Sequence, residues 1–353
     1  MTPDLRIVRL CLLGFGNVAR SFCALLEHQE RALADAHGLR VLVSAAGTRR
    51  ASMLAPEGLA PAAVLAAAPA GATLPEPPRS AHDLLAASGA DVLVELTVME
   101  EDFAPVATGH IEAAFDLGMD VVTANKGPIA WNWDRIAARA AATGHRIRFE
   151  STVMDGLPVF SLLEFTLTDC SLLGFEAIFN STTNFMIDAT ARGQSFDAAL
   201  KHAQDAGFAE ADPSHDIDGW DAACKAAALA NVAMGAGITP ADVDKESLRD
   251  VPLARIERAY AAGRRLRLVT SVWRGGEAGG AAASGRPAGP VVARVRATEL
   301  DIDHPLAPLS QESLGVVLHT DLMGDVLVAE IGALVPQTAY GVYADLLHLC
   351  RKS

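Results

Sequence analysis

The stretch Ile7 to Ala19, IVRLCLLGFGNVA, decides the fold. Ile7 to Leu13 is a short apolar run of the kind a strand shows when both of its faces are covered. GFGNVA follows at once at Gly14 to Ala19, and Ser21 to Glu30 then reads as helix. Strand, Gly-x-Gly-x-x-Ala and helix in this order form the dinucleotide fingerprint. Gly14 permits the tight turn, Gly16 lets the backbone approach a pyrophosphate, and Ala19 is small where helix packs on strand. The pyrophosphate would sit on the positive end of the helix, so Gly14, Phe15, Gly16, Asn17 and Val18 are the expected cofactor contacts. Glycine turns between strands and helices are frequent, and the position of this one at the head of an α/β pattern is what carries the reading.

Working outward, Arg40 to Ala46 is the expected second strand, and its end helps choose the cofactor. An NAD site usually carries an Asp or Glu there to hold the ribose hydroxyls. This chain reads Ser44-Ala45-Ala46-Gly47-Thr48-Arg49-Arg50, with no acid and two arginines suited to a 2′-phosphate. The plain alternative is that Arg49 and Arg50 cap a surface loop. The preference is therefore for NADP, with NAD remaining open. Ala51 to Arg79 reads as a helix plus a loose connector, Asp91 to Thr97 as a buried strand and Asp102 to Gly118 as helix. Asp120 to Ala130 is a strand running into Asn125-Lys126-Gly127-Pro128. Ligands of open α/β sheets bind beyond the carboxyl ends of strands, which is where Thr97 and Lys126 fall. Lys126 is otherwise an ordinary loop charge.

Composition bounds the function. The chain has 353 residues, enough for two domains with separate cores. No uncharged apolar run reaches the length of a membrane span, and Asp4, Arg6 and Arg9 interrupt any signal-peptide pattern. A cytoplasmic location is expected. Five cysteines, odd in number and without CxxC or CxxH spacing, argue against a disulfide framework and a zinc site. A net charge of −14 disfavours nucleic acid as a partner.

The second informative stretch is Ala203 to Lys225, AQDAGFAEADPSHDIDGWDAACK. Asp205, Glu210, Asp212, Asp216 and Asp218 form a loop-like acidic run ahead of an Ala-rich helix carrying Asp221 and Lys225. Four-residue spacing places Asp221 and Lys225 on one helical face. An exposed Asp–Lys pair would contribute only a few tenths of a kcal/mol, about 0.3–0.5. The alternative is two acids and one amine converging where a loop meets a helix.

The segment resembles the substrate-site motif of the homoserine dehydrogenase family, G-[YF]-x-E-x-D-P-x-x-D-[VIL]-x-G-x-D-x-x-x-K. Gly207, Glu210, Asp212, Pro213, Asp216, Gly219, Asp221 and Lys225 fall in register. Thr123 to Pro128, TANKGP, is similar to the same family, and so in part are Asn180-Ser181-Thr182-Thr183-Asn184, His304-Pro305-Leu306-Ala307 and Gly332-Ala333 with Thr338-Ala339. The resemblance implies a Rossmann-type dinucleotide-binding domain over 1–149, joined by 332–353. It implies an α+β substrate-binding and dimerisation domain with a mainly antiparallel sheet over 150–331. Strands are expected at Leu172–Phe179, Arg265–Trp273, Val291–Leu300, Gly315–Thr320 and Val326–Glu330, with a mobile glycine-rich insert over Arg274–Pro290.

The activity implied is NAD(P)-dependent interconversion of L-homoserine and L-aspartate 4-semialdehyde. By resemblance Lys225 is the proton donor or acceptor and Lys126 helps polarise the oxygen. Glu210, Asp221 and Asp216 hold the substrate, Thr182 is a polar contact, and Gly207 and Gly332 lie at the cofactor. The family junction also binds a monovalent cation such as Na⁺, which here assigns Glu150 and the carbonyls of Val153, Asp155 and Leu157. Asp155 and Ser181 stand where relatives carry small residues, which leaves room for a different hydroxy or amino acid as substrate. A homodimer is implied, as is a short form without the regulatory domain of longer members. A non-catalytic nucleotide sensor would need only the glycine-rich half.

Overall fold

The computed structural model describes residues 5–100, 102–205, 212–275, 289–310, 313–332 and 334–351. The chain divides into two compact units, 1–156 with 335–353, and 157–334. The divisions lie a few residues beyond 149/150 and 331/332 because the turn after residue 149 is held by the C-terminal helix Val335–Cys350. The Glu150 amide donates to Asp345 Oδ2 at 2.7 Å, and the Ser151 hydroxyl to the Thr338 carbonyl at 2.8 Å.

In the first unit, β1 (Arg6–Leu13), β2 (Leu39–Gly47), β3 (Ser52–Leu59), β4 (Val92–Glu95), β5 (Asp120–Thr123) and β6 (Ile147–Arg148) form one sheet in the order β3-β2-β1-β4-β5-β6. All pair in parallel except β3, which runs antiparallel to β2. The chain winds outward from β1 to one edge and returns at β4, so the topological switch point lies between β1 and β4. Alternate residues of β1 feed two cores, as a strand covered on both faces requires. Leu10 and Leu12 pack with Phe22, Leu26, Val342 and Leu346, and Cys11 and Leu13 with Leu93, Ile111 and Phe115. Helix Val335–Cys350 thus shares a core with helix Asn17–His28, and Arg6 and Arg146 donate to its last carbonyls at Cys350 and Leu349.

The connector expected over 51–79 contains an edge strand, β3, ahead of helix Pro61–Ala67. Pro56 and Gly58 argue against a central strand, but an edge strand needs no donor on its outer side. A Cβ at Gly58, where φ is 86°, would stand 2.6 Å from that of Leu42.

In the second unit, β7 (Leu172–Ile178), β8 (Asp244–Lys245), β9 (Arg265–Arg274), β10 (Val291–Leu300), β11 (Leu314–Thr320) and β12 (Gly324–Glu330) form a sheet in the order β12-β11-β7-β9-β10-β8. It is antiparallel except between β10 and β8. Helices Ser181–Ala191 and Trp220–Met234 lie against its strands. Ile178, Val269 and Val317 pack with Leu306, Ala307 and Leu309. The segment 181–185 opens a helix, and residues 276–288 of the glycine-rich insert lie outside the described residues. No helix among the described residues is long and apolar enough to cross a membrane. All five cysteines are free thiols, and burial pushes Cys11 up to about 12.

Candidate active site

A cavity of about 790 Å³ opens in the first unit at the carboxyl ends of β1, β2 and β4. Gly14, Phe15, Gly16, Thr48, Arg49, Arg50 and Thr97 are on its wall. Gly14 has φ 91°, and a Cβ there would collide with the Leu96 carbonyl, so the loops after β1 and β4 meet only because residue 14 is glycine. A Cβ at Gly16 would meet nothing within 4 Å, so that backbone faces open space. Asn17 starts helix Asn17–His28, and Val18 packs on the core behind it. The Thr48 hydroxyl accepts from the amides of Arg50 (3.2 Å) and Ala51 (3.1 Å), which shapes the turn carrying both arginines. Neither guanidinium has an acceptor among the described residues. Arg20 is also on the wall, its guanidinium 4.9 Å from the Phe15 ring centroid and donating to the Ala68 and Ala72 carbonyls. Arginines on one side, no acid at the end of β2 and open backbone at Gly16 fit a dinucleotide phosphate chain.

Buried Glu95 closes β4. Its Oε1 accepts from the Thr97 hydroxyl and amide and stands 3.4 Å from His110 Nδ1, and the Thr123 hydroxyl donates to its carbonyl at 3.2 Å. The Asn125 amide donates to the Thr97 carbonyl at 3.1 Å while its oxygen caps helix Lys126–Thr143. Lys126 heads that helix, half-buried, and is not on the cavity wall.

In the second unit, Gly219 at φ 76° turns the chain into helix Trp220–Met234. Asp221 and Lys225 meet at 2.9 Å with side chains 10% and 16% exposed, which removes the reading of a solvated surface pair. Lys225 Nζ also donates to the Phe179 carbonyl at 2.7 Å. Asn180 is the hub. Its oxygen accepts from the Thr183 amide as N-cap of helix Ser181–Ala191, and its Nδ2 donates to Asp216 (2.8 Å) and Asp221 (3.1 Å). Burial pushes the Asp216 carboxyl above its ordinary range, and the Asp221 charge pushes it further, against hydrogen bonds from Asn180 and Thr182 and the charge of Lys225. Thr182 is buried behind Asp216. Two carboxylates sharing one amide donor favour a cationic ligand between them. Asp212 instead accepts from the Ser214 amide and hydroxyl, and Asp218 from the Ser247 hydroxyl. Gly207 and Glu210 lie outside the described residues.

Glu150 begins a buried 3₁₀ turn, and Val153 is buried after it. Asp155 has φ 47°, and its Oδ1 accepts from the Thr338 hydroxyl at 2.8 Å, so its extra charge is already engaged. The Leu157 carbonyl accepts from the Val159 amide at 2.8 Å and keeps a second lone pair. One carboxylate with carbonyls is chemistry for a hard cation. Among the described residues no group of three His, Cys, Asp or Glu could hold a metal ion. Gly332 has φ 73°, belongs to the second unit and is not on the cavity wall.

Sequence reasoning missed Asn180, Arg20, Glu95 and His110. Asn180 had a signal, an Asn directly after a strand and three residues before a Thr-rich helix start is complete. The other three had none, because only the fold brings them to the cavity.

The family model described as homoserine dehydrogenase matches residues 158–347, and the model of the NAD binding domain of homoserine dehydrogenase matches 14–150. An NAD(+)-dependent homoserine dehydrogenase from Pseudomonas canavaninivorans is 32% identical over 97% of this chain and 96% of its own. The solved homoserine dehydrogenase of Thermoplasma acidophilum superposes with a TM-score of 0.81 at 29% identity, covering 98% of this chain and 99% of that one. A hyperthermophilic archaeal homoserine dehydrogenase mutant in complex with NADPH gives 0.80 at 26% identity, covering 98% of each chain.

Proposed function

The chain belongs to the homoserine dehydrogenase family, and we propose that Asn180, Asp216, Asp221 and Lys225 bind the amino acid and move the proton in the interconversion of L-homoserine and L-aspartate 4-semialdehyde. As a member it is an NAD(P)-dependent oxidoreductase acting on a CH–OH group. The observation that carries the residue assignment is the buried Lys225–Asp221 pair bound to Asn180.

When bound, NAD(P) gives or takes the hydride at nicotinamide C4. The protein supplies the rest. Two of the three Lys225 N–H donors are directed at Phe179 and Asp221, which leaves one for the substrate oxygen. In reduction that ammonium donates a proton to the oxygen as the carbonyl is lost, and in oxidation the neutral amine accepts it back. Asp221 and Asp216 hold the substrate ammonium, which relieves their mutual repulsion. Asn180 and Thr182 keep the two carboxylates in place. Glu210 joins them on the ammonium, with Gly207 and Gly332 at the cofactor, and Lys126 polarises the oxygen.

NADP is the preferred cofactor. The name of the Pseudomonas relative specifies NAD(+), so Arg49 and Arg50, not family membership, carry this preference. L-homoserine with NADP⁺, then with NAD⁺, should raise absorbance at the reduced-nicotinamide band. Each charge-assisted bond to a 2′-phosphate contributes about 1.5–3 kcal/mol. Losing both, as Arg49→Ala with Arg50→Ala, should therefore raise KM for NADP⁺ roughly a hundred- to ten-thousandfold and leave that for NAD⁺ nearly unchanged. Equal loss with both cofactors removes the 2′-phosphate assignment, and no absorbance rise with either removes the substrate.

A monovalent cation, Na⁺, is proposed at Glu150 with the carbonyls of Val153, Asp155 and Leu157. The protein is proposed to be a cytoplasmic homodimer formed through the 157–334 unit. Exchanging Na⁺ and K⁺ for tetramethylammonium should lower the rate, and sedimentation should give twice the chain mass. An unchanged rate or a monomer mass discards the corresponding proposal.

A further inference from the structure

The fully buried carboxylate of Glu95 has no part in the chemistry above, yet it sits beside the cofactor cavity. Its Oε1 takes the Thr97 hydroxyl and the Thr97 amide (3.3 Å) and faces His110 Nδ1 at 3.4 Å. Glu95 has no exposed side-chain surface, while the His110 side chain keeps 15% and is on the cavity wall. A buried carboxylate without an obligate metal or cationic side chain is costly unless its hydrogen bonds are doing something. Here they fix the orientation of one imidazole.

The tautomer follows from the network. An ionised carboxylate only accepts, so the nitrogen facing it, Nδ1, carries the proton, and in the neutral imidazole Nε2 is left as the acceptor. His110 lies in helix Pro105–Asp116, which follows β4. In this strand order the adenosine half of a dinucleotide runs toward β2, the phosphates cross at Gly14–Gly16, and the nicotinamide half runs toward β4. The arginines at the β2 end and His110 at the β4 end therefore face opposite halves of the cofactor. An oriented acceptor at the β4 end suits the hydroxyls of the nicotinamide ribose or the carboxamide NH₂, and does not suit a phosphate.

We propose that His110 accepts a hydrogen bond from the nicotinamide-riboside half of the cofactor through Nε2, and that Glu95 is the positioning residue that fixes its tautomer. This rests on the dinucleotide reading of the cavity and adds to it a contact specific to one half of the ligand. Truncated ligands separate the two. 2′,5′-ADP contains the adenosine half without the nicotinamide riboside, so a contact to the latter cannot affect its binding.

Calorimetric titration of NADP⁺ and of 2′,5′-ADP into the full chain and its His110→Phe, His110→Gln and Glu95→Gln variants tests the proposal. His110→Phe should weaken NADP⁺ about three- to tenfold, the range of one neutral hydrogen bond, and leave 2′,5′-ADP within about twofold. His110→Gln, whose amide oxygen restores an acceptor, should recover part of the loss. Glu95→Gln should match His110→Phe for NADP⁺, because a carboxamide can donate to Nδ1 and turn Nε2 into a donor. Unchanged NADP⁺ affinity in His110→Phe overturns the contact. Equal weakening of both ligands also overturns it, since that is the signature of a distorted cavity. Failure of both 2′,5′-ADP and ADP to bind the unaltered protein overturns the dinucleotide reading beneath it.

Discussion

Lys225→Arg should leave cofactor affinity and folding close to those of the unaltered protein and lower turnover by about two to four orders of magnitude, the usual contribution of a positioned acid–base group. That range corresponds to roughly 2.7–5.5 kcal/mol of barrier. Arginine is the informative replacement because Lys225 has two roles. Its charge stands 2.9 Å from Asp221 and lowers the cost of holding Asp216 and Asp221 together. An alanine would remove that charge, leave two buried carboxylates uncompensated and confound lost chemistry with lost structure. A guanidinium keeps the charge but stays protonated throughout the working pH range, so it cannot accept a proton in oxidation. Lys225→Ala should then lose turnover to the same extent and stability in addition. Steady-state kinetics with both variants, alongside thermal melting, separates the roles. An arginine variant that retains more than about a tenth of the turnover would falsify proton transfer by Lys225, since one acid–base step accounts for at least a hundredfold.

Local spacing made the chemistry legible where one element carries it. Asp221 and Lys225 are four apart on one helix, so their pairing needed no knowledge of the fold. The glycine fingerprint was readable for the same reason, because strand, turn and helix are contiguous. The burial of the pair was not readable: whether an Asp–Lys pair on an Ala-rich helix is solvated depends on the strand end at Phe179 and Asn180, some forty residues away. Asn180 directly follows a strand in the sequence and proved to be the cap of a helix that also ties two carboxylates. Edge strand β3 was hidden by Pro56 and Gly58, whose propensities speak against strands in general but not against an outer strand paired on one side. The Glu95–His110 contact joins the end of a strand to the following helix, and nothing in either residue's neighbourhood announces it.

Arg267→Met should destabilise the second unit by about 3–5 kcal/mol, the cost of leaving a buried charge without its partner. Arg267 is 2% exposed on β9 and donates to Asp188 Oδ1 at 2.8 Å, to the Tyr260 hydroxyl at 3.0 Å and to the Leu266 carbonyl at 3.0 Å. Tyr260 donates to the same Asp188 oxygen at 2.6 Å, and burial together with that bond pushes its phenol up to about 12. Asp188 belongs to helix Ser181–Ala191, so this group fastens to the sheet the helix that Asn180 caps. Replacing the arginine alone strands the carboxylate. Replacing both, as Arg267→Met with Asp188→Leu, removes the two charges together and should recover most of the loss, because apolar packing of similar volume often matches a buried pair. Urea unfolding followed by tryptophan fluorescence measures the single and double variants. A single variant within about 1 kcal/mol of the unaltered protein would mean that water or a local shift rescues Asp188, and would reduce the triad to ordinary packing. Recovery in the double variant should extend to the catalytic rate only if the helix returns to its register, since Asn180 contacts Asp216 and Asp221 from the helix's first turn. Stability regained without activity would show that the charged group specifies where the helix sits as well as how firmly it is held.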